Sequence, residues 1–160
     1  MQTQPDRPQR LIIQGWCSFA VPEDWTWNEE EGITSIYSEA VSAGAITITL
    51  YFRPEAHAPR RQELIELAMK LAHGFGRHIE PTDVQVIPFG AGEASYVELI
   101  DDLRDEWRVW HIADPQRVIC ITYNCALDTG EPERETVDRI ISSFQWLAVD
   151  EHTRKGTEPQ

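Results

Sequence analysis

Hydrophobic and polar residues alternate strictly along residues 45–52. In an extended chain, two isoleucines, a leucine and Phe52 point to one side, while two threonines and Tyr51 point to the other. This spacing predicts a β-strand with one apolar face and one more polar face. Related patterns predict strands at residues 11–21, 33–38, 95–100, 107–112 and 117–124. Residues 84–89 fit an edge strand, because Pro88 has no N–H to donate to a neighbour.

Two other stretches repeat their apolar residues every three or four positions, which predicts amphipathic helices. The first covers residues 60–73, with an apolar stripe of Leu64, Leu67, Ala68, Leu71, Ala72 and Phe75. The second covers residues 132–146, with an apolar stripe of Val137, Ile140, Ile141 and Phe144. Gly74 is a suitable end for the first helix.

The predicted strands occur in runs and are joined by short connections. Short connections favour antiparallel neighbours, and runs of strands followed by helices are typical of α+β proteins. We therefore predict a single α+β domain over residues 11–147, with an antiparallel sheet of about six strands and two main helices. Residues 1–10 are predicted to be a polar N-terminal tail, and residues 148–160 a flexible C-terminal tail.

Charge narrows the range of partners. The chain has 160 residues, with 27 acidic and 14 basic side chains and a formal net charge of −13. This excess of negative charge repels a phosphate backbone, so we expect no nucleic-acid binding. It would attract a basic protein partner, and added salt would weaken that attraction.

The apolar runs and the cysteines indicate where in the cell the protein is located. No stretch approaches the ~18 apolar residues of a membrane span, and the run at residues 11–13 is too short for a signal peptide. Cys17, Cys120 and Cys125 are odd in number. Cys120 and Cys125 would lie ~16 Å apart on one extended strand, too far to pair. We therefore expect a cytoplasmic protein, in a reducing compartment and without membrane association.

Several short phrases occur in a recognisable order. They are Phe19-Ala-Val-Pro-Glu-Asp-Trp25, Ile46-Thr-Ile-Thr-Leu50, a helix, strands at residues 107–112 and 118–123, and a closing helix with Ile140-Ile-Ser-Ser-Phe144. Over about residues 11–147, this order resembles the PsbP/Mog-like superfamily, which includes bacterial DcrB-like proteins. The resemblance implies an antiparallel sheet packed with helices, in proteins that chiefly bind or assist partners without catalysis. It supplies no catalytic residue.

Tryptophans suggest where a partner would bind. Trp107 and Trp110 are three residues apart, so on one strand they point to opposite faces of the sheet. One of them needs cover that the helices do not provide, and aromatic surfaces with little charge are typical of interfaces. The candidate partner surface is Thr47, Thr49, Tyr51, Tyr96, Glu98, Trp107 and Trp110. Alternatively, the chain covers this face itself, with Trp25 and Trp27 folding back, or a second copy covers it in a homodimer.

The function predicted from these observations is that of a non-enzymatic binding or accessory protein with a protein partner. One alternative is a small-ligand carrier with an apolar pocket between sheet and helix. Another is a thiol hydrolase, because Cys120 and His111 lie on neighbouring predicted strands. The sequence has no HExxH motif and no paired CxxC motifs, so we expect no metal site and no cofactor.

Overall fold

The structure of the chain is a computed structural model that describes residues 7–54 and 56–148. Over these residues the chain forms ten β-strands, two α-helices and a short 3₁₀ helix at Pro81–Asp83. The strands are β1 (Gln9–Ile13), β2 (Cys17–Val21), β3 (Trp25–Glu30), β4 (Ile33–Ser38), β5 (Gly44–Phe52), β6 (Gln85–Phe89), β7 (Gly92–Ile100), β8 (Asp105–Ala113), β9 (Arg117–Ala126) and β10 (Gln145–Trp146). The helices are α1 (Arg61–Gly74) and α2 (Glu131–Ser142).

The strands form two antiparallel sheets. The large sheet has seven strands in the order β3-β4-β5-β9-β8-β7-β6, and the small sheet has three in the order β1-β2-β10. The α+β class with two main helices is therefore confirmed, and β6 lies at a sheet edge as Pro88 predicted. The predicted count of about six strands is too low, because the N-terminal region and the chain after α2 contribute a second sheet.

The N-terminal region folds differently from its prediction. Residues 11–21 were expected to form one strand, but the chain reverses at Gln14 and Gly15, which both have positive φ, at 50° and 70°. β1 and β2 are therefore a hairpin, and the predicted N-terminal tail supplies the first two residues of β1. Residues 1–6 lie outside the described residues, as do residues 149–160 of the predicted C-terminal tail.

Two further differences concern Trp25 and the second helix. Trp25 and Trp27 lie within β3, an edge strand of the large sheet, instead of folding back over it. Helix α2 ends at Ser142, and β10 follows it to pair with β2. The apolar stripe of α2 continues into Phe144, so hydrophobic spacing alone does not show where the helix stops.

The large sheet has two faces that are covered unequally. The face packed against the β1–β2 hairpin and α2, here called the hairpin face, is continuous apolar core. Its isoleucines on β4, β5 and β9 are fully buried: Ile36, Ile46, Ile48, Ile119 and Ile121. The opposite face, here called the α1 face, packs Val97 and Val109 against Ala68 of α1.

Helix α1 is narrower than the sheet it covers. Seven strands with ~4.8 Å between neighbours span about 29 Å, whereas a helix with its side chains is ~10–12 Å across. Helix α1 packs mainly on β6, β7 and β8. The part of the α1 face formed by β3, β4 and β5 therefore has no helix over it in the described part of the chain.

A buried carboxylate attaches α2 to the large sheet. Glu133 is 1% exposed, and its Oε1 accepts hydrogen bonds from the Gly44 N–H (2.8 Å) and the Tyr123 hydroxyl (2.9 Å). Burying a carboxylate is costly unless hydrogen bonds compensate. Gly44 can approach this closely because it has no side chain: a Cβ there would lie 2.3 Å from the Asn124 carbonyl oxygen.

We predict that Gly44→Ala destabilises the fold by about 1–3 kcal/mol, because the added methyl group forces β5 away from β9 and from Glu133. The control is Gly74→Ala at the end of α1, where a Cβ meets no atom within 4 Å. Urea unfolding measures both variants. A Gly44→Ala variant as stable as the wild type would contradict the close packing around Glu133.

Candidate functional site

The seven residues of the predicted partner surface do not share one face. Strand pairing places Thr47, Thr49, Tyr51 and Trp107 on the α1 face, and Tyr96, Glu98 and Trp110 on the hairpin face. Trp107 and Trp110 do point to opposite faces, as their spacing predicted. The prediction of a single aromatic surface is wrong. Tyr96 pairs directly with Trp110 on the hairpin face, whereas Thr47 and Thr49 pair with residues of β9 on the α1 face.

Trp110 is covered by its own chain. It is 4% exposed, and its ring lies 5.1 Å from that of Tyr96. The Arg108 guanidinium lies 4.8 Å from the Trp110 ring centroid, close enough for a cation–π contact. The tryptophan on the hairpin face is therefore a core residue.

Tyr96 and Glu98 take part in a polar network that joins α2 to β7 and β8 of the large sheet. Arg108 donates to the Tyr96 hydroxyl (2.9 Å) and to Asp138 of α2, and Arg134 of α2 donates to Glu98 (2.8 Å). Hydrogen bonds from Tyr96 and Arg134 lower the pKa of Glu98. These contacts give both predicted surface residues an intramolecular role.

Trp107 lies at the end of α1. Its ring centroid is 4.5 Å from that of Phe75, and its indole N–H donates to Asp101 (2.9 Å). The same carboxylate accepts the backbone N–H groups of Asp105 and Leu103, and these hydrogen bonds lower its pKa. Trp107 is half-buried and closes one end of the helix–sheet contact.

Three predicted residues remain on the uncovered part of the α1 face. We define the open face as seven side chains of β4, β5 and β9: Ser35, Tyr37, Thr47, Thr49, Tyr51, Thr122 and Asn124. All are partly or fully exposed, and Tyr51 is 38% exposed. None carries a charge at neutral pH. The alternating sequence pattern identified Thr47, Thr49 and Tyr51. The other members of the open face depend on which residues pair between neighbouring strands, and the pattern within one strand does not show this pairing.

Cys120 and His111 are paired directly across β9 and β8, as their predicted strands suggested. Burial raises the pKa of Cys120 to about 11 and lowers that of His111 to about 4. Both groups are therefore neutral at pH 7. A thiol activated for nucleophilic attack has the opposite shift, towards the thiolate.

Both residues line a cavity of about 520 Å³ between α1 and strands β5 and β9. A smaller hollow of about 300 Å³ adjoins it and shares Tyr51, Leu67 and Lys70. The cavity begins where the open face meets the helix, because Thr49 and Tyr51 belong to both.

Residues 7–54 and 56–148 contain neither a metal-binding cluster nor a membrane-spanning helix. No three His, Cys, Asp or Glu side chains converge there in a group that could hold a metal ion. Within the same ranges, no helix is long and apolar enough to cross a bilayer. All three cysteines are free thiols.

No protein-family model matches the chain, and no curated protein is significantly similar to it in sequence. Solved structures nevertheless share its fold. A protein from Bacteroides thetaiotaomicron VPI-5482 aligns with a TM-score of 0.63 at 16% sequence identity. The alignment covers 91% of this chain and 50% of the other, so this chain spans half the length of that neighbour.

Two further structures align over nearly their whole length. Cyanobacterial PsbP (CyanoP) from Synechocystis sp. PCC 6803 has a TM-score of 0.59 and 13% identity, covering 91% of this chain and 96% of CyanoP. The Ran-binding protein Mog1p from Saccharomyces cerevisiae has a TM-score of 0.56 and 12% identity, covering 88% and 96%. The chain has the PsbP/Mog-like fold, which confirms the resemblance seen in its sequence. At these identities the likeness concerns the fold alone.

The buried histidine predicts a specific pH dependence. Unfolded, His111 binds a proton near its ordinary pKa of 6.5, whereas in the folded chain its pKa is about 4. Between these values the unfolded state holds more protons, so stability falls as pH falls. We predict that the wild type loses about 2 kcal/mol more than His111→Gln between pH 7 and pH 5.

Urea unfolding at the two pH values measures this difference. His73→Gln is the matched control, because it makes the same substitution at an exposed histidine in the last turn of α1. If His111→Gln and the wild type lose equal stability on acidification, the imidazole is not held neutral in the core.

Proposed function

We propose that the chain is a non-enzymatic binding protein that docks a basic protein partner on the open face. The observation that carries this proposal is the absence of charge from the open face, in a chain of which 26% is charged. Interface centres are depleted in charge and enriched in aromatic residues, and Tyr37 and Tyr51 supply the aromatic area here. Of the predicted surface residues, Thr47, Thr49 and Tyr51 remain in this proposal.

The surrounding charge favours a basic partner. Residues 11–52, which contain β4 and β5, include six acidic residues and no Lys or Arg. Glu29, Glu30 and Glu31 lie at the β3–β4 turn, at one end of the open face. An uncharged centre with acidic groups at its end would attract a cationic surface over roughly a Debye length, about 8–10 Å at physiological salt.

The same charge argues against a homodimer. Two copies would bring two net charges of −13 together, and like charges across an interface are costly. A different chain with a basic surface avoids this repulsion.

The structural neighbours support a protein-binding role in general. The yeast neighbour is a Ran-binding protein, so the PsbP/Mog-like fold is used elsewhere to bind another protein. At 12% identity, the partner of that protein is not carried over to this chain.

A charge placed in the centre of the open face tests the proposal. We predict that Thr47→Arg weakens capture of the basic partner from native extract at least about tenfold, because like charges face each other in the interface. Thr82→Arg is the matched control, since it makes the same change at an exposed residue of the 3₁₀ helix. Quantitative mass spectrometry of proteins retained on each immobilised variant is the measurement.

The supporting result is a basic protein that the wild type and Thr82→Arg retain, that Thr47→Arg does not, and that leaves the column as salt rises. Equal retention by Thr47→Arg would place the interface elsewhere. Retention of no basic protein even at low salt would also refute the proposal.

A further inference from the structure

A line of hydrogen-bonding side chains runs across the α1 face, from the open face into the apolar part beneath α1. Ser95, His111, Cys120 and Thr49 are paired in succession across β7, β8, β9 and β5. We call these four side chains the polar row. The neighbouring row has Val97 opposite Val109. The polar row is therefore a local departure from the apolar floor that α1 packs against.

The cavity of about 520 Å³ lies over three members of this row: Thr49, Cys120 and His111. Leu67 and Leu71 of α1, together with Phe75 directly after the helix, form its other side. Leu67 and Leu71 belong to the apolar stripe of the helix but are only half-buried, because no strand residue fills the space beneath them. A space of this size with mainly apolar walls and a few polar groups has the character of a small-molecule site.

Two side chains of the row lack hydrogen-bond partners. The Oγ of Ser95 and the Nδ1 of His111 are buried, and neither finds a partner in the described part of the chain. Most buried polar side-chain atoms in folded proteins are hydrogen-bonded, so such a pair requires an explanation. Of these two residues only His111 lines the cavity. A bound hydroxyl group can both donate and accept, which allows it to bond the His111 imidazole or the Cys120 thiol.

Charge selects among ligands for this cavity. His111 and Cys120 are neutral at pH 7 because they are buried. The net charge of −13 opposes an anion, and the Lys70 ammonium at the cavity wall opposes a cation. The attraction of Lys70 for an anion is offset by Glu63 and Glu66, which line the adjoining hollow together with Lys70. A neutral ligand meets neither repulsion.

We propose that the cavity between α1 and strands β5 and β9 binds a neutral aromatic molecule with a single hydroxyl group. Its ring packs between Tyr51 and the leucines of α1, and its hydroxyl bonds the polar row at Cys120 or His111. This ligand site adjoins the open face and shares Thr49 and Tyr51 with it.

The probe for this site is 2-naphthol, titrated into the full chain at pH 7 by calorimetry. We expect saturable binding of one molecule per chain. Naphthalene, which lacks the hydroxyl, should bind about two- to tenfold more weakly, as expected for the loss of one hydrogen bond. The anion 2-naphthoate should bind more weakly than 2-naphthol, despite its similar size.

Two tryptophan variants on one strand locate the site. Thr49→Trp fills the cavity and should reduce the affinity for 2-naphthol at least tenfold. Thr47→Trp is the matched control, because Thr47 is the next outward residue of β5 and does not line the cavity. Bound 2-naphthol should also slow alkylation of Cys120 in the wild type, as followed by peptide mass spectrometry.

Each outcome of these measurements either supports or overturns the proposed site. Binding that Thr47→Trp keeps and Thr49→Trp loses supports the site. Absence of saturable binding to the wild type, or equal binding to Thr49→Trp, overturns it. If 2-naphthoate binds as tightly as 2-naphthol, the neutral class of ligand is wrong. None of these results depends on a protein partner, so the proposed function is tested independently.

Discussion

The arrangement of this protein depends on the difference in width between its seven-stranded sheet and the one helix on its α1 face. Helix α1 lies mainly over β6, β7 and β8, so it leaves the outer side of β4 and β5 to solvent. Both candidate sites follow from this difference. The open face is the area beyond the helix, and the cavity is the space along its edge, where Leu67 and Leu71 extend past the strands they pack on.

The hairpin face, in contrast, is covered by other elements of the chain. There the chain uses two elements, the small sheet and α2, and the isoleucines beneath them are fully buried. Arg108 of β8 and Glu133 of α2 attach the helix to the large sheet through hydrogen bonds, and Glu133 bonds the central strands β5 and β9. This coverage buries Trp110 and leaves Tyr96 only partly exposed. The proposed binding surface is therefore on the α1 face, where cover is incomplete.

Strand spacing predicted much of this fold. Alternation located β5, β8 and β9, the helical stripe located α1, and residue spacing separated Trp107 from Trp110. The prediction that their two strands are neighbours also placed Cys120 beside His111. Alternation assigns faces within one strand only, however, and the relation between strands depends on register. The predicted surface consequently mixed residues from both faces. The β1–β2 turn was missed because Gln14 and Gly15, which interrupt the apolar residues, were placed inside one strand. Strand β3 was missed because its tryptophans were assigned to a covering loop.

The most direct test is whether the open face is accessible to solvent in the full chain. Methyl relaxation by a soluble gadolinium chelate compares threonines on both sides of one sheet. Thr47 and Thr49 should relax strongly, whereas Thr34, 2% exposed on the hairpin face of β4, should be nearly unaffected. Equal protection of Thr47 and Thr34 would mean that the α1 face is covered over β5, and would contradict the account of a sheet only partly covered by its helix.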